Sequence, residues 1–96
     1  MILHVSRSYR WNADNTEHIA MHGIEPEEAE QVVDAARPPY PRYVGDEKWL
    51  VWGQTVFGLY LQVAFLKDPE PTDTIYVIHA RPMTEREKRL FRRQRR

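Results

Sequence analysis

Eighteen consecutive residues, Trp49 to Leu66, carry no formal charge. A run of that length is about the shortest that spans a bilayer as a helix. Gly53, Gln54, Thr55, Gly58 and Gln62 interrupt it, however, and Trp, Tyr, Phe and Val dominate the rest. Two buried strands around a turn account for the run better than a membrane helix. In a chain of 96 residues such a hairpin leaves room for one domain, residues 1–96, with one modest core. The opening Met1–Arg7 lacks a basic segment followed by a long apolar run, so it does not read as a secretory leader. A cytoplasmic location without membrane association is expected.

The flanking sequence punctuates itself clearly. Leu3, Val5, Tyr9 and Trp11 alternate with more polar neighbours, which predicts a strand within Ile2 to Trp11. Asn12 suits the N-cap of a first helix and Gly23 its stop. Pro26 suits the first position of a second helix, where Glu27 and Glu28 meet the positive end of the dipole. Ala29, Val32, Val33 and Ala36 follow as one apolar stripe. Arg37-Pro38-Pro39-Tyr40-Pro41 ends that helix and restricts Tyr40 to Val44 to an edge strand or loop. Gly45-Asp46 turns the chain into an antiparallel hairpin of Lys48 to Gly53 and Phe57 to Leu66, with Leu59, Leu61, Val63 and Phe65 on one face. Asp68 to Asp73 is a rigid turn before a strand at Thr74 to Arg81. Thr84, with Glu87 three residues on, forms a capping box for a last helix that offers only Leu90 and Phe91 to a core. The expected fold is α+β: a small antiparallel sheet with two N-terminal helices and a C-terminal helix.

Charge is segregated along the chain although the formal total is zero. Residues 12–36 carry seven acidic side chains and no basic ones; residues 84–96 carry seven basic and two acidic. A basic end of this kind serves either as a solvated helix or as a contact for nucleic acid or an acidic partner. The chain has no cysteine, which removes disulfides, thiolate metal sites and cysteine nucleophiles together. There is no glycine-rich phosphate loop, and no serine stands in a nucleophile setting.

Four segments carry a family likeness: Tyr9-Arg10-Trp11-Asn12; Asn15 with His18-Ile19-Ala20-Met21-His22-Gly23-Ile24 and Pro26-Glu27-Glu28-Ala29; the glycines Gly53 and Gly58; and Ile78-His79-Ala80-Arg81-Pro82-Met83-Thr84 followed by Glu87-Lys88-Arg89. In order and spacing the chain resembles the BrnT family of RelE-like ribonuclease toxins from bacterial type II toxin–antitoxin pairs. It departs from the usual family residues at Asn12, Leu59, Tyr76, His79 and Phe91. The resemblance implies a metal-free endoribonuclease without cofactor, an RNA substrate, and a cognate antitoxin that covers the site. It also implies a homodimer or a toxin–antitoxin heterotetramer as the assembled form.

Metal-free RNA cleavage needs a base for the 2′-hydroxyl proton, an acid for the leaving 5′-oxygen and cations for the phosphorane. Arg81, where the family resemblance also points, is the expected phosphate grip, because a guanidinium fork matches phosphate oxygens. That role requires an open pocket beside it; the alternative is an ion pair with the acidic second helix. His79 lies two residues earlier, on the same strand face, as an acid or base. Glu47 and Lys48 fall where the family tends to have a Glu–Arg pair and complete the expected catalytic set. Arg42, His22 and Trp49 are expected RNA contacts, Trp49 by stacking on bases. His18 and His22 have the i, i+4 spacing of zinc ligands, but the sequence marks no third ligand, so no metal is expected. A domain that keeps this shape without catalysis, binding protein or nucleic acid, is the competing expectation.

Overall fold

The computed structural model describes residues 7–95. Three helices and four strands follow in the order α1 (Ala13–Ala20), α2 (Pro26–Asp34), β1 (Arg42–Gly45), β2 (Lys48–Gln54), β3 (Tyr60–Lys67), β4 (Ile75–Pro82) and α3 (Glu85–Gln94). The strands form one antiparallel sheet in the order β1-β2-β3-β4. The α+β architecture with paired N-terminal helices and a C-terminal helix is as the sequence implies. No helix among the described residues is long and apolar enough to cross a membrane.

The uncharged run is the central hairpin. Lys48 pairs with Leu66 and Gln54 with Tyr60 along β2 and β3. Leu61, Val63 and Phe65 are buried while Tyr60, Gln62, Ala64 and Leu66 are half-buried, so the period-two pattern sorts the two faces of the sheet. With Val51, Ile75, Val77 and Ala80, the first face packs against Ile19, Ile24, Ala29, Val32 and Val33 from the α1–α2 segment. At Gly53 the helix backs directly onto the strand: a Cβ there would sit 3.0 Å from Val32 Cγ1. On the other face Trp52, Tyr40, Tyr60 and Phe91 form an aromatic cluster with ring spacings of 6.1–6.4 Å, and Phe91 seats α3 on it.

Caps set the helix ends. Asn12 Oδ1 accepts from the Asn15 N–H at 3.1 Å, and Asn15 Oδ1 accepts from the Asn12 N–H at 2.8 Å. Helix α1 closes at Met21, earlier than Gly23, and Gly23 then takes φ +74°, which favours glycine. Pro26 opens α2 as expected, and Glu28 Oε1 accepts from the Glu25 N–H at 2.9 Å.

Two expectations differ from the structure. Phe57 does not open the second hairpin arm: β3 begins at Tyr60, and Val56, Phe57 and Leu59 are exposed, Phe57 by 94%. The N-terminal strand over Ile2–Trp11 begins outside the described residues. Of its remainder, only a parallel bridge between Tyr9 and Ile75 forms, with the Ile75 N–H donating to Ser8 O and the Arg10 N–H to Ile75 O. Of the two forms expected for Tyr40–Val44, the edge strand is the one observed, as β1 beginning after Pro41.

Candidate functional site

Asn15 positions the site. It is buried, and its Nδ2 donates to Val77 O at 3.0 Å and to Arg10 O at 3.1 Å, which fastens α1 to β4. The last turn of α1 therefore delivers His18, and the turn beyond it delivers His22, onto the strand carrying His79. A β-bulge helps. Phe65 pairs with Val77 and Ala64 with His79, so Ile78 is the additional residue. The ring centroids lie 5.5 Å apart for His18–His79, 5.3 Å for His22–His79 and 6.4 Å for His18–His22.

His18 and His22 are exposed and His79 is half-buried. Burial first, then the proximity of His22, His18 and Arg81, lowers the proton affinity of His79 below the ordinary imidazole value. His79 is thus held toward its neutral, proton-accepting form. The rings cluster, yet among the described residues no three His, Asp or Glu side chains are arranged to hold a metal ion.

Arg81 reaches the same corner but is engaged. Its Nη1 and Nη2 donate to Glu87 Oε1 and Oε2 at 2.7 and 2.8 Å, and Nη1 also donates to Pro82 O at 3.1 Å. Hydrogen bonding to Glu87 raises the Arg81 pKa, and the same bond holds the Glu87 carboxyl down to about 2. With the side chain 27% exposed, the fork expected to grip phosphate grips a carboxylate instead. That partner belongs to α3 and not, as the alternative had it, to the acidic second helix. An adjoining cavity of about 280 Å³ is lined by His22, Leu59, Tyr60, Pro82 and Lys88 among others, and Arg81 does not line it.

No protein-family model and no curated protein matches the chain. Any assignment of function therefore stands on the residues and their geometry.

The other expected site residues lie elsewhere. Lys48 pairs with Leu66, whose β4 partner is Tyr76, whereas His79 pairs with Ala64, whose β2 partner is Leu50. Two strand spacings, roughly 10 Å, separate the two groups before any offset along the strands is counted. Glu47 sits in the β1–β2 turn at φ +63°, its N–H donating to the Tyr43 hydroxyl at 3.0 Å. Glu47 and Lys48 thus do not join His79 and Arg81. Trp49 is half-buried, edge-on to Tyr43 at 5.2 Å with Lys67 Nζ 5.9 Å from its ring, so it packs the hairpin. Arg42 lies over the Tyr40 ring at 5.6 Å.

Sequence reasoning missed a second feature. Between the end of α2, the end of β2 and α3 runs an open groove of about 810 Å³ lined by Val32, Ala35, Arg37, Gly53, Gln54, Tyr60, Phe91, Arg92 and Arg95. None of those residues is acidic. The basic tail was visible as composition, but its convergence with Arg37 depends on Phe91 docking α3 across the sheet.

Proposed function

We propose that this domain is a metal-independent endoribonuclease of the toxin–antitoxin kind, with its proton chemistry assigned to the imidazole cluster and not to Glu47 and Lys48. The observation that carries the proposal is the meeting of His18, His22 and His79 from two distant segments, beside a cationic corner. In this scheme neutral His79 accepts the ribose 2′-hydroxyl proton as the 2′-oxygen attacks the adjacent phosphorus. His22, which lines the cavity, donates a proton to the departing 5′-oxygen. The P–O5′ bond breaks, leaving a 2′,3′-cyclic phosphate and a free 5′-hydroxyl. Lys88, on the same cavity, offsets the phosphorane charge. Arg81, tied to Glu87, orients the corner and does not clamp the phosphate. A cognate antitoxin covering this corner would silence the chain.

The test is cleavage of single-stranded RNA by the purified chain with a chelator present. Replacement His79→Ala should lower kcat by roughly a hundredfold or more. The acid limb of the pH–rate profile should lie below the usual imidazole value, because His79 keeps its base form further into acid than a free imidazole. Growth arrest on expression, abolished in His79→Ala, is the matching result in cells. Full toxicity of Arg81→Ala would confine Arg81 to a structural role.

One observation favours a second reading, a non-catalytic binding domain of the same shape: the Arg81 fork is satisfied by Glu87. Intact RNA and undisturbed growth with the wild-type chain would decide for it.

A further inference from the structure

Arg37, just beyond α2, and Arg92 and Arg95, at the end of α3, are far apart in sequence and face one groove that holds no acidic side chain. Nothing else in that groove competes for their charge. Two of the three are preset: the Arg92 guanidinium lies 5.5 Å from the Tyr60 ring centroid and that of Arg95 4.6 Å from Phe91. Tyr60 lines this groove and also the smaller cavity shared by His22, Pro82 and Lys88. The two hollows therefore share one side chain, and His22 of the imidazole cluster lines the smaller.

We infer that the groove is a binding track for the sugar–phosphate backbone of single-stranded RNA, leading past Tyr60 to the histidine cluster. The chemistry is that of a polyanion. Three guanidiniums at one concave face match successive phosphates, and the Tyr60 and Phe91 rings hold two of them without a carboxylate partner that would neutralise them. A folded acidic protein surface would leave the concave volume unfilled, whereas an extended strand enters it. As a track for substrate, the inference rests on the ribonuclease proposal; as a binding surface it is read independently of cleavage.

The test uses a fluorescein-labelled single-stranded 12-mer RNA, fully 2′-O-methylated so that it cannot be cleaved, with anisotropy read between 50 and 200 mM salt. The triple variant Arg37→Ala, Arg92→Ala, Arg95→Ala should bind about tenfold or more weakly. Its log–log salt slope should also shrink by about 2, the loss of three phosphate contacts on a single strand. The charge-conserving Lys triple should recover most of the slope. A control, Arg86→Ala with Arg89→Ala and Arg93→Ala, removes equal charge from α3 outside the groove and should cost less than the groove triple. With unmodified RNA, the groove triple should raise KM for a long strand and leave kcat within about twofold. Wild-type affinity in the groove triple, equal losses in the control, or no binding by the wild-type chain would each overturn the inference. Binding of the methylated strand without cleavage of the unmodified one would remove the nuclease proposal and leave the track standing.

Discussion

Glu87 does two tasks with one carboxylate. It closes the α3 capping box by accepting from the Thr84 N–H at 2.8 Å and receives the Arg81 fork through both oxygens. Its folded pKa of about 2 lies below its ordinary 4.5, so the folded state holds the carboxylate more strongly than the unfolded chain does. The resulting stabilisation is complete above pH 4.5 and is lost as the pH falls through 2. After discounting for solvent, roughly 1–2 kcal/mol of stability should disappear across that window in urea titrations of the wild-type chain. In Glu87→Gln the same window should be nearly flat. Asn15 is the other residue with more than one duty. Its replacement by Ala strands the Val77 and Arg10 carbonyls and removes the acceptor of the Asn12 N–H in the α1 capping box, at a cost of roughly 2–3 kcal/mol in unfolding free energy from urea titration. It should also separate His18 and His22 from His79, visible as a return of the His79 NMR titration toward the ordinary imidazole value.

Among the elements, α3 is the most lightly held, because Phe91 is its one buried side chain. Phe91→Ala should cost roughly 3 kcal/mol, and α3 should become the first site of proteolytic cutting. Gly53→Ala acts on α2 instead. Its methyl group would press on Val32, and a loss of about 1–3 kcal/mol in thermal or urea unfolding is expected. The elements themselves were largely legible in the sequence, because caps, prolines and period-two runs are local signals. Asn12, Pro26 and Thr84 sit at the helix starts they were assigned. Phe57 was misplaced because its apolar side chain continues the strand pattern into a loop where burial ends. The site was legible only in pieces. His22, His79 and Arg81 could be singled out, but the meeting of His18 with His79 depends on α1 lying along β4 through Asn15. Glu47 and Lys48 were assigned to the same site without knowledge of the strand register that separates them. The partner of Arg81 was missed because Glu87, six residues on, already had a sufficient explanation as a capping residue.

At the scale of the molecule, acidic and basic surfaces stay apart: α2 carries Glu27, Glu28, Glu30 and Asp34, and α3 carries Arg86, Arg89, Arg92 and Arg93. The two helices border the same groove from opposite sides, through Val32 and Phe91 respectively. The exposed hairpin tip, Val56 and Phe57, contributes nothing to the core. Phe57→Ser should therefore leave the unfolding midpoint unchanged to within about 0.5 kcal/mol. The sheet ends differently on its two sides. β4 is overlaid by the Ser8–Arg10 segment, whereas β1 has no neighbour beyond it among the described residues. That bare margin is four residues long, follows a proline and is broken by a register shift between Tyr43 and Gly45. A foreign strand annexed there would find few consecutive rungs to climb, which is a built-in brake on fibril growth. Thioflavin fluorescence of concentrated samples should stay at baseline.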